Sequence, residues 1–252
     1  MIIRKTPEQV EKMALAGDIL VRCLKMLEAK TRAGVTTGEL DAAAERFIRS
    51  QGATPAFKGY RGFPGSICAS PNSMVVHGIP GGYDLQRGDI LSIDVGVIKD
   101  GWVADAAMTV PVGAVGSDAV KLLDVTKASL FAGVEQMRPG NHLGDVSAAI
   151  QGAVEAEGLS IIRTLVGHGI GREMHEEPQV PNFGEPGKGP ELEEGMVLAI
   201  EPMVNVGGPL VRMDEDGWSV FSEDDSLAAH FEFTVAVTAA GPRILTPWHE
   251  AD

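Results

Sequence analysis

Cysteine is scarce in this sequence, and basic residues are few relative to acidic ones. Only Cys23 and Cys68 are cysteines among 252 residues, which excludes a disulfide framework and a cysteine-based zinc site and indicates a reducing compartment. Lys and Arg total 21 against 35 Asp and Glu, a net charge of −14, so we expect no stable binding to nucleic acid or membrane. No apolar run approaches the ~18 residues that span a bilayer, and the charged N-terminus lacks a secretory core. We therefore expect a globular, cytoplasmic monomer.

Apolar periodicity predicts a mixture of helices and strands, with no linker that divides the chain. Thr6, Pro7 and Gln9 mark the start of the first helix, because they combine a capping box with proline at the first helical position. Further helices are predicted over 37–52, 117–137 and 144–157, and strands over 89–98, 101–112, 196–206, 210–213, 218–222 and 230–239. Tight glycine turns join neighbouring strands, so we expect an α+β fold instead of a doubly wound sheet.

Two parts of the chain carry a faint internal repeat. Val75-Val76-His77-Gly78-Ile79 resembles Val166-Gly167-His168-Gly169-Ile170, and the run that ends at Asp94 resembles the run that ends at Glu201. Each copy then has an acid before a Thr-Val pair, Asp105 in the first copy and Glu232 in the second. We therefore expect one catalytic domain over 1–252, with half-repeats at about 60–115 and 160–240.

The acids of this repeat lie in surroundings of different polarity. Asp94 and Glu201 belong to runs apolar enough to be buried on both faces of a strand, and Asp105 lies among alanines. A buried carboxylate is costly unless it is protonated, paired with Lys or Arg, or bound to a metal ion. The sequence leaves these alternatives open. Glu232 alternates with phenylalanines, a pattern typical of an ordinary solvated strand face.

Four acids from two related halves could meet in one site. They would repel one another unless cations neutralised them. With one histidine added, such a site is rich in oxygen ligands and suits a pair of divalent ions such as Mn²⁺, Fe²⁺ or Co²⁺. Of the six histidines, His168 and His175 stand out, because glycines flank the first and the second follows closely. His230 shares its predicted strand face with Glu232.

Several motifs resemble the signature of type I methionine aminopeptidases. They are Val76-His77-Gly78-Ile79-Pro80, Ser92-Ile93-Asp94-Val95, the run GHGIGREMHEEP over 167–178, Ala199-Ile200-Glu201-Pro202-Met203 and Phe231-Glu232. The resemblance extends over about residues 3–245, in the order of the family. It implies the pita-bread fold, in which two pseudo-symmetric halves form a curved antiparallel sheet flanked by helices. It also implies removal of the N-terminal methionine from peptides and nascent proteins, with a preference for a small second residue.

The resemblance further implies two divalent metal ions, of Co, Mn, Fe, Zn or Ni, and a set of five ligands. The ligands are Asp94, Asp105, His168, Glu201 and Glu232. Asp105 and Glu232 would bridge the ions, whereas His168 and Glu201 would complete one site and Asp94 the other. Water activated by the ions would attack the first peptide bond, and Glu201 would move the proton.

Substrate contacts are implied by the same resemblance. His77 and His175 would be catalytic residues that face the reacting amide and carbonyl. The methionine pocket maps to Phe57, Tyr60, Phe63, Cys68, His77, Met174, His175 and Trp218. Phe57, Phe63 and Met174 depart from the residues common in the family, as does Arg61, which stands where histidine is frequent. These departures bear on the shape and selectivity of the pocket, and plain core packing stays an alternative for the aromatic residues.

Rival functions exist on the same fold. Prolidases and Xaa-Pro aminopeptidases usually carry a substantial domain before the first histidine, and type II methionine aminopeptidases carry a helical insertion between the later ligands. A non-catalytic peptide-binding module would be expected to lose ligands, and an acidic structural protein would bury ion pairs without binding metal. We expect any transient contact with the ribosome to involve the catalytic domain itself.

Overall fold

Two pairs of helices alternate with antiparallel sheets in this computed structural model, which describes residues 1–250. The helices are α1 (Pro7–Lys30), α2 (Thr37–Ser50), α3 (Ser117–Glu135) and α4 (Leu143–Glu155), so all four predicted helices are confirmed. In the capping box of α1, the Gln9 N–H donates to the Thr6 hydroxyl at 3.3 Å and the Thr6 N–H donates to the Gln9 side chain at 2.9 Å. No helix within residues 1–250 is both long and apolar enough to cross a bilayer.

Fifteen strands and one 3₁₀ turn, Tyr60–Gly62, complete the described chain. The strands are β1 (Thr54–Pro55), β2 (Cys68–Pro71), β3 (Met74–Val76), β4 (Ile90–Lys99), β5 (Trp102–Pro111), β6 (Ser160–Ile161), β7 (Gly167–Gly169), β8 (Glu176–Val180), β9 (Val197–Ile200), β10 (Met203–Asn205), β11 (Val211–Met213), β12 (Val220–Ser222), β13 (Ala228–His230), β14 (Phe233–Thr238) and β15 (Gly241–Ile244).

These strands form four antiparallel sheets, so the predicted α+β class is confirmed. The largest sheet has the order β15-β14-β9-β7-β8, and a second has the order β1-β4-β2 with β5 paired to β4. Two smaller sheets have the orders β13-β10-β6 and β11-β12-β3. Each pair of helices therefore precedes one of the two larger sheets along the chain.

The hairpin of β4 and β5 is the longest ladder of the fold and confirms the two strands predicted there. Its turn contains Asp100 at φ 51° and Gly101 at φ 75°, the left-handed conformation that these two residue types tolerate in a tight hairpin. Helix α1 packs across the hairpin and buries Leu20, Leu24 and Leu27 completely. The hairpin is thus held rigidly against the main core.

Two strands predicted over 196–206 and 230–239 are each broken in the structure. The first breaks between β9 and β10, because Pro202 has no N–H to donate to a ladder. The second breaks between β13 and β14. Since β9 pairs with β14 and β10 pairs with β13, the two breaks lie side by side. They bring Glu201 close to Glu232.

The prediction that Glu232 lies on a solvated strand face is wrong. Glu232 is only 2% exposed and lies outside both neighbouring ladders, at the break itself. His230, which was expected to share a strand face with Glu232, ends β13, so the two residues do not belong to one strand. The break, and not the alternation of polar and apolar residues, decides where this side chain points.

Two threonine hydroxyls join β5 to the chain around the second break. Thr234 Oγ1 accepts from the Asp105 N–H at 3.0 Å and donates to the Asp105 carbonyl at 2.7 Å, across 129 positions of sequence. Thr109 Oγ1 forms the same two kinds of bond with the backbone of His230, both at 2.9 Å. The Thr-Val pairs noted in the sequence therefore mark the contacts of β5 with β14 of the largest sheet and with β13 of a smaller sheet.

Candidate metal centre

All five residues implied as metal ligands line one cavity of about 300 Å³. Each comes from a different strand or strand break. The positions are Asp94 on β4, Asp105 on β5, His168 on β7, Glu201 directly after β9 and Glu232 directly before β14. The antiparallel pairings described above therefore assemble the site from both larger sheets.

Three of these residues form a compact group. Asp105, His168 and Glu232 each offer a ligand atom, and these atoms lie within 4.8 Å of one another. Glu201 adjoins the group, because its Oε1 is 3.6 Å from His168 Nε2, which is itself 3.9 Å from Asp105 Oδ2. The structure thus brings together the histidine and three of the acids, and it places Asp94 in the same cavity wall.

Glycines allow His168 to approach the other ligands. A Cβ on Gly167 would collide with the Ala199 carbonyl of β9, and a Cβ on Gly169 would collide with the Glu177 carbonyl of β8. Only glycine at both positions lets β7 lie this close to its two neighbours. The glycine-flanked histidine of the sequence is therefore a strand residue.

The carboxylates have no basic partner in the described part of the chain. Their ion-pair contacts are with imidazole rings alone, those of His168 and His230. Buried oxygen atoms of three of them lack any hydrogen-bond partner, namely Asp94 Oδ1, Asp105 Oδ1 and Glu232 Oε1. The alternative of structural ion pairs with Lys or Arg is therefore wrong for this cluster.

Burial and mutual repulsion raise the pKa of all four carboxyl groups. Burial is the largest cause throughout, and it raises the pKa of Asp94 to about 8, with the charge of Glu201 adding to the effect. The pKa values of Asp105, Glu201 and Glu232 are also raised well above their ordinary range by burial, and then by neighbouring carboxylates. A divalent cation among these groups would offset both effects.

His168 is oriented as a metal-ligating histidine should be. Its Nδ1 lies 2.9 Å from the carbonyl oxygen of Gly169, and because a carbonyl can only accept, the proton is on Nδ1 and Nε2 presents a lone pair to the acids. Burial lowers the pKa of His168 to about 4, which keeps the ring neutral. The lone pair of His168 and the unpartnered carboxylate oxygens together fit divalent metal ions.

An aromatic wall forms another side of the cavity. Phe57, Tyr60, Phe63 and Trp218 line it, as does Cys68. The Phe63 ring meets Trp218 edge-on at 5.1 Å and Phe57 at 6.5 Å between centroids. An apolar, polarizable wall of this kind suits a thioether side chain.

Met174 is not among the lining residues of the cavity. It is 5% exposed and packs in the apolar cluster behind the wall. A Cβ on Gly96 would contact both Met174 Cε, at 2.8 Å, and Phe57 Cε1, at 2.9 Å. Met174 and Phe57 thus both lie close to Gly96, and a contact of Met174 with substrate stays a prediction.

The two histidines implied as catalytic both line the cavity. His175 Nδ1 is 2.8 Å from the Tyr60 hydroxyl, and its ring lies 4.2 Å from the His168 ring. Burial, followed by His168, lowers the pKa of His175 to about 4. His77 follows β3 in a left-handed conformation, φ 60°, which is uncommon for a residue with a side chain and recurs at functional sites.

Several lining residues were not included among the site residues from the sequence. They are Arg61, Val76, Thr164, Leu165, Val166, Met203 and His230. His230 is 2% exposed, its Nε2 lies 3.5 Å from Glu201 Oε2, and neither ring nitrogen has a hydrogen-bond partner. The sequence signal for His230 was its position two residues before Glu232. Thr164 and Leu165 lie in an irregular segment before β7 and belong to no motif, whereas Val166 begins the second copy of the internal repeat.

The loop that carries His175 is fixed by a buried ion pair from the start of the chain. Lys5 Nζ lies 2.6 Å from Glu176 Oε2, and the two side chains are only 2% and 5% exposed. The other oxygen of Glu176 accepts from the backbone N–H groups of Arg172 and Glu173, at 2.8 and 3.3 Å. Glu176, the first residue of β8, thus closes the loop next to His175.

Replacing Lys5 with methionine is expected to lower the free energy of unfolding by about 3–5 kcal/mol, because it leaves a buried carboxylate without its cationic partner. The matched control is Arg4→Met. Arg4 pairs with Glu193, but these side chains are about half exposed, so its loss should cost at most ~1 kcal/mol. Urea denaturation of both variants measures the difference. Equal losses in the two variants would contradict the structural importance of the buried pair.

Comparison with known proteins identifies the family. The profile of metallopeptidase family M24 matches residues 11–239. The chain is 52% identical to a methionine aminopeptidase of Clostridium perfringens over 98% of this chain and 99% of that protein. It is 50% identical to methionine aminopeptidase 1 of Bacillus subtilis, again over 98% of this chain and 99% of the relative.

Solved structures agree with these sequence relatives. Methionine aminopeptidase from Rickettsia prowazekii superposes with a TM-score of 0.96 at 41% identity, over 98% of this chain and 100% of that chain. Prolidase from Pyrococcus furiosus has a TM-score of 0.79 at 22% identity, over 99% of this chain and 66% of that chain, and thus shares the fold. The predicted pita-bread fold is confirmed, and the chain belongs to metallopeptidase family M24, within the methionine aminopeptidases.

Proposed function

We propose that this protein removes the N-terminal methionine from peptides and nascent proteins whose second residue is small. One observation carries the proposal: a cluster of buried carboxylates with His168 lines the same cavity as an aromatic wall. A hydrolytic metal centre beside an apolar pocket is what cleavage next to an apolar side chain needs. The substrate named for the sequence relatives supports the same proposal.

We propose that the centre holds two divalent ions, of Co, Mn, Fe, Zn or Ni. Asp105 and Glu232 would each ligate both ions, whereas His168 and Glu201 would complete one coordination sphere and Asp94 the other. The compact group of three ligands and the unpartnered buried oxygens support this set. When bound, the ions polarise the peptide carbonyl and lower the pKa of a water molecule.

The chain's own residues orient the substrate and move its protons. We propose that the Tyr60 hydroxyl, 2.8 Å from His175 Nδ1, donates to it, so that the proton of the neutral ring is on Nε2 and can be donated to the peptide carbonyl oxygen as negative charge develops there. Glu201 lies beside the rings of His168 and His230, and it takes the proton of the attacking water and then returns it to the leaving amine. His77 contacts the reacting amide from another wall.

Amino-acid release from three peptides tests the proposal. Metal-free protein supplied with Mn²⁺ or Co²⁺ is expected to release methionine from Met-Ala-Ser, and to release nothing from Leu-Ala-Ser or Ala-Pro-Ala, because the aromatic wall suits a thioether. Metal-free protein without added ions is the control. Release from Ala-Pro-Ala would indicate a prolidase-type activity, and no release from any peptide would indicate a binding module.

We further propose that residues 1–252 act as one catalytic domain and as a monomer in the cytoplasm. The net charge of −14 supports peptides over nucleic acid as partners, and any transient contact with the ribosome would involve the catalytic domain itself. Light scattering coupled to size-exclusion chromatography tests the monomer, for which a mass near 26.6 kDa is expected.

A further inference from the structure

The segment that follows β15 folds back over Glu232. Leu245 N–H donates to the Thr234 carbonyl at 2.8 Å, and the Thr234 N–H donates to the Thr246 hydroxyl at 2.9 Å. These bonds bring Trp248 against the break between β13 and β14, where its side chain is 7% exposed. The sequence assigned no role to this segment, and its described part now lies directly behind a proposed metal ligand.

One indole ring contacts three successive residues at the break. Trp248 Nε1 donates to the Glu232 carbonyl oxygen at 2.9 Å. The same ring stacks on Phe233, with centroids 4.8 Å apart, and lies at 5.6 Å from Phe231. On helix α3, the Lys127 ammonium lies 5.4 Å from the centroid of the indole. The ring is therefore held on more than one side.

The backbone of Glu232 depends on such contacts because it lies outside both ladders. Its N–H donates to the Ala107 carbonyl of β5 at 2.9 Å, and its carbonyl accepts from the indole. A buried carbonyl that loses its donor must find another or rotate. Rotation of this peptide would carry the Glu232 carboxylate away from Asp105 and His168, with which it now forms a compact group.

We propose that Trp248 is a positioning residue that holds the bridging carboxylate of Glu232 in place for metal binding. The inference rests on the proposed function, because it takes Glu232 as a ligand. The indole acts through the backbone of Glu232 and touches neither the ions nor the substrate. Removing its N–H is expected to weaken metal binding, as loss of a partner that orients a ligand commonly does.

The test compares Trp248→Phe with His249→Ala. The first variant retains an aromatic ring but lacks the donor. The second removes a neighbouring ring that contacts Phe131 at 5.0 Å and Phe233 at 5.1 Å, without a bond to Glu232. Calorimetric titration of each metal-free protein with Mn²⁺ gives its Kd, and the visible absorption of the Co²⁺-loaded protein reports ligand geometry. Glu232→Ala serves as the reference for loss of a ligand.

Trp248→Phe is expected to raise the Kd for Mn²⁺ about tenfold and to alter the Co²⁺ absorption, whereas His249→Ala should lower only the Tm. An unchanged Kd and spectrum in Trp248→Phe, or equal changes in both variants, would overturn the inference. If Glu232→Ala binds Mn²⁺ as the unmodified protein does, the proposed ligand set fails instead. Should Trp248→Phe not fold, 3-benzothienylalanine at position 248 keeps the shape of indole without the N–H and gives the same comparison.

Discussion

Asp105→Asn is expected to abolish peptide cleavage and, in the metal-free protein, to raise the Tm. Asp105 is buried, its Oδ1 has no hydrogen-bond partner, and burial together with Asp94 raises its pKa. A carboxyl group whose pKa is raised by folding destabilises the fold at pH values above its ordinary pKa, so Asp105 destabilises the metal-free fold at neutral pH. An amide of the same size removes this ionisable group, but it also removes a ligand proposed to serve both ions, so we expect turnover to fall by more than ~10³-fold.

Differential scanning fluorimetry with and without Mn²⁺ measures both effects on stability. The Tm of the unmodified protein should rise when Mn²⁺ is added, and the Tm of Asp105→Asn should not. Asp89→Asn is the matched control, because Asp89 is equally hidden but accepts hydrogen bonds from Asn72, Tyr83 and Gln86. It should lose stability and retain activity. Metal-dependent turnover in Asp105→Asn would contradict the assignment of the centre.

His175→Ala is expected to lower kcat by about 10²–10³-fold, with little change in KM or in affinity for Mn²⁺. The imidazole of His175 is bonded to Tyr60 and lies beside His168 in the cavity, so its remaining N–H faces the position where the peptide carbonyl is proposed to react. Loss of one donor to a developing oxyanion has a cost of this size. Steady-state kinetics on Met-Ala-Ser and titration with Mn²⁺ give the three quantities.

Tyr60→Phe separates orientation from direct donation. It removes the hydroxyl that fixes the His175 ring but leaves the ring itself, so we expect a smaller fall in kcat, of about tenfold. His142→Ala provides a background value, because His142 lies at the N-terminus of α4 and does not line the cavity. If His175→Ala raised KM at constant kcat, His175 would serve ground-state binding and not the reaction.

Local sequence signals were sufficient to predict the helices and the β4–β5 hairpin. The capping box at Thr6 and the turn at Asp100-Gly101 are each encoded by residues that contact one another within a few positions. The proposed set of ligands followed from motifs that resemble a known family, and the structure brings Asp105, His168 and Glu232 of this set together. The helices and the hairpin depend on short-range contacts, and the proposed ligands belong to motifs that occur in a fixed order along the chain.

Long-range pairing explains what the sequence did not predict. The alternation of polar and apolar residues around Glu232 predicted a solvated strand face, because such a pattern does not reveal where a strand is broken. This strand break lies beside the break at Pro202, since the strands on either side of the two breaks pair with each other. The ion pair of Lys5 with Glu176 joins residues 171 positions apart, and the local sequence around neither residue predicts it. Trp248 was likewise without an assigned role, because its hydrogen-bond partner is a backbone carbonyl.

The threonine bonds that join β5 to β13 and β14 bear on the order in which the chain assembles. They join positions 129 and 121 apart in sequence, so the helices and the β4–β5 hairpin can form early, from local contacts, while this junction must wait for the last strands. A partly folded chain therefore holds Asp94 and Asp105 without His168 and Glu232 in place. Capacity to retain metal, and with it catalytic competence, arises only at the final docking step of folding.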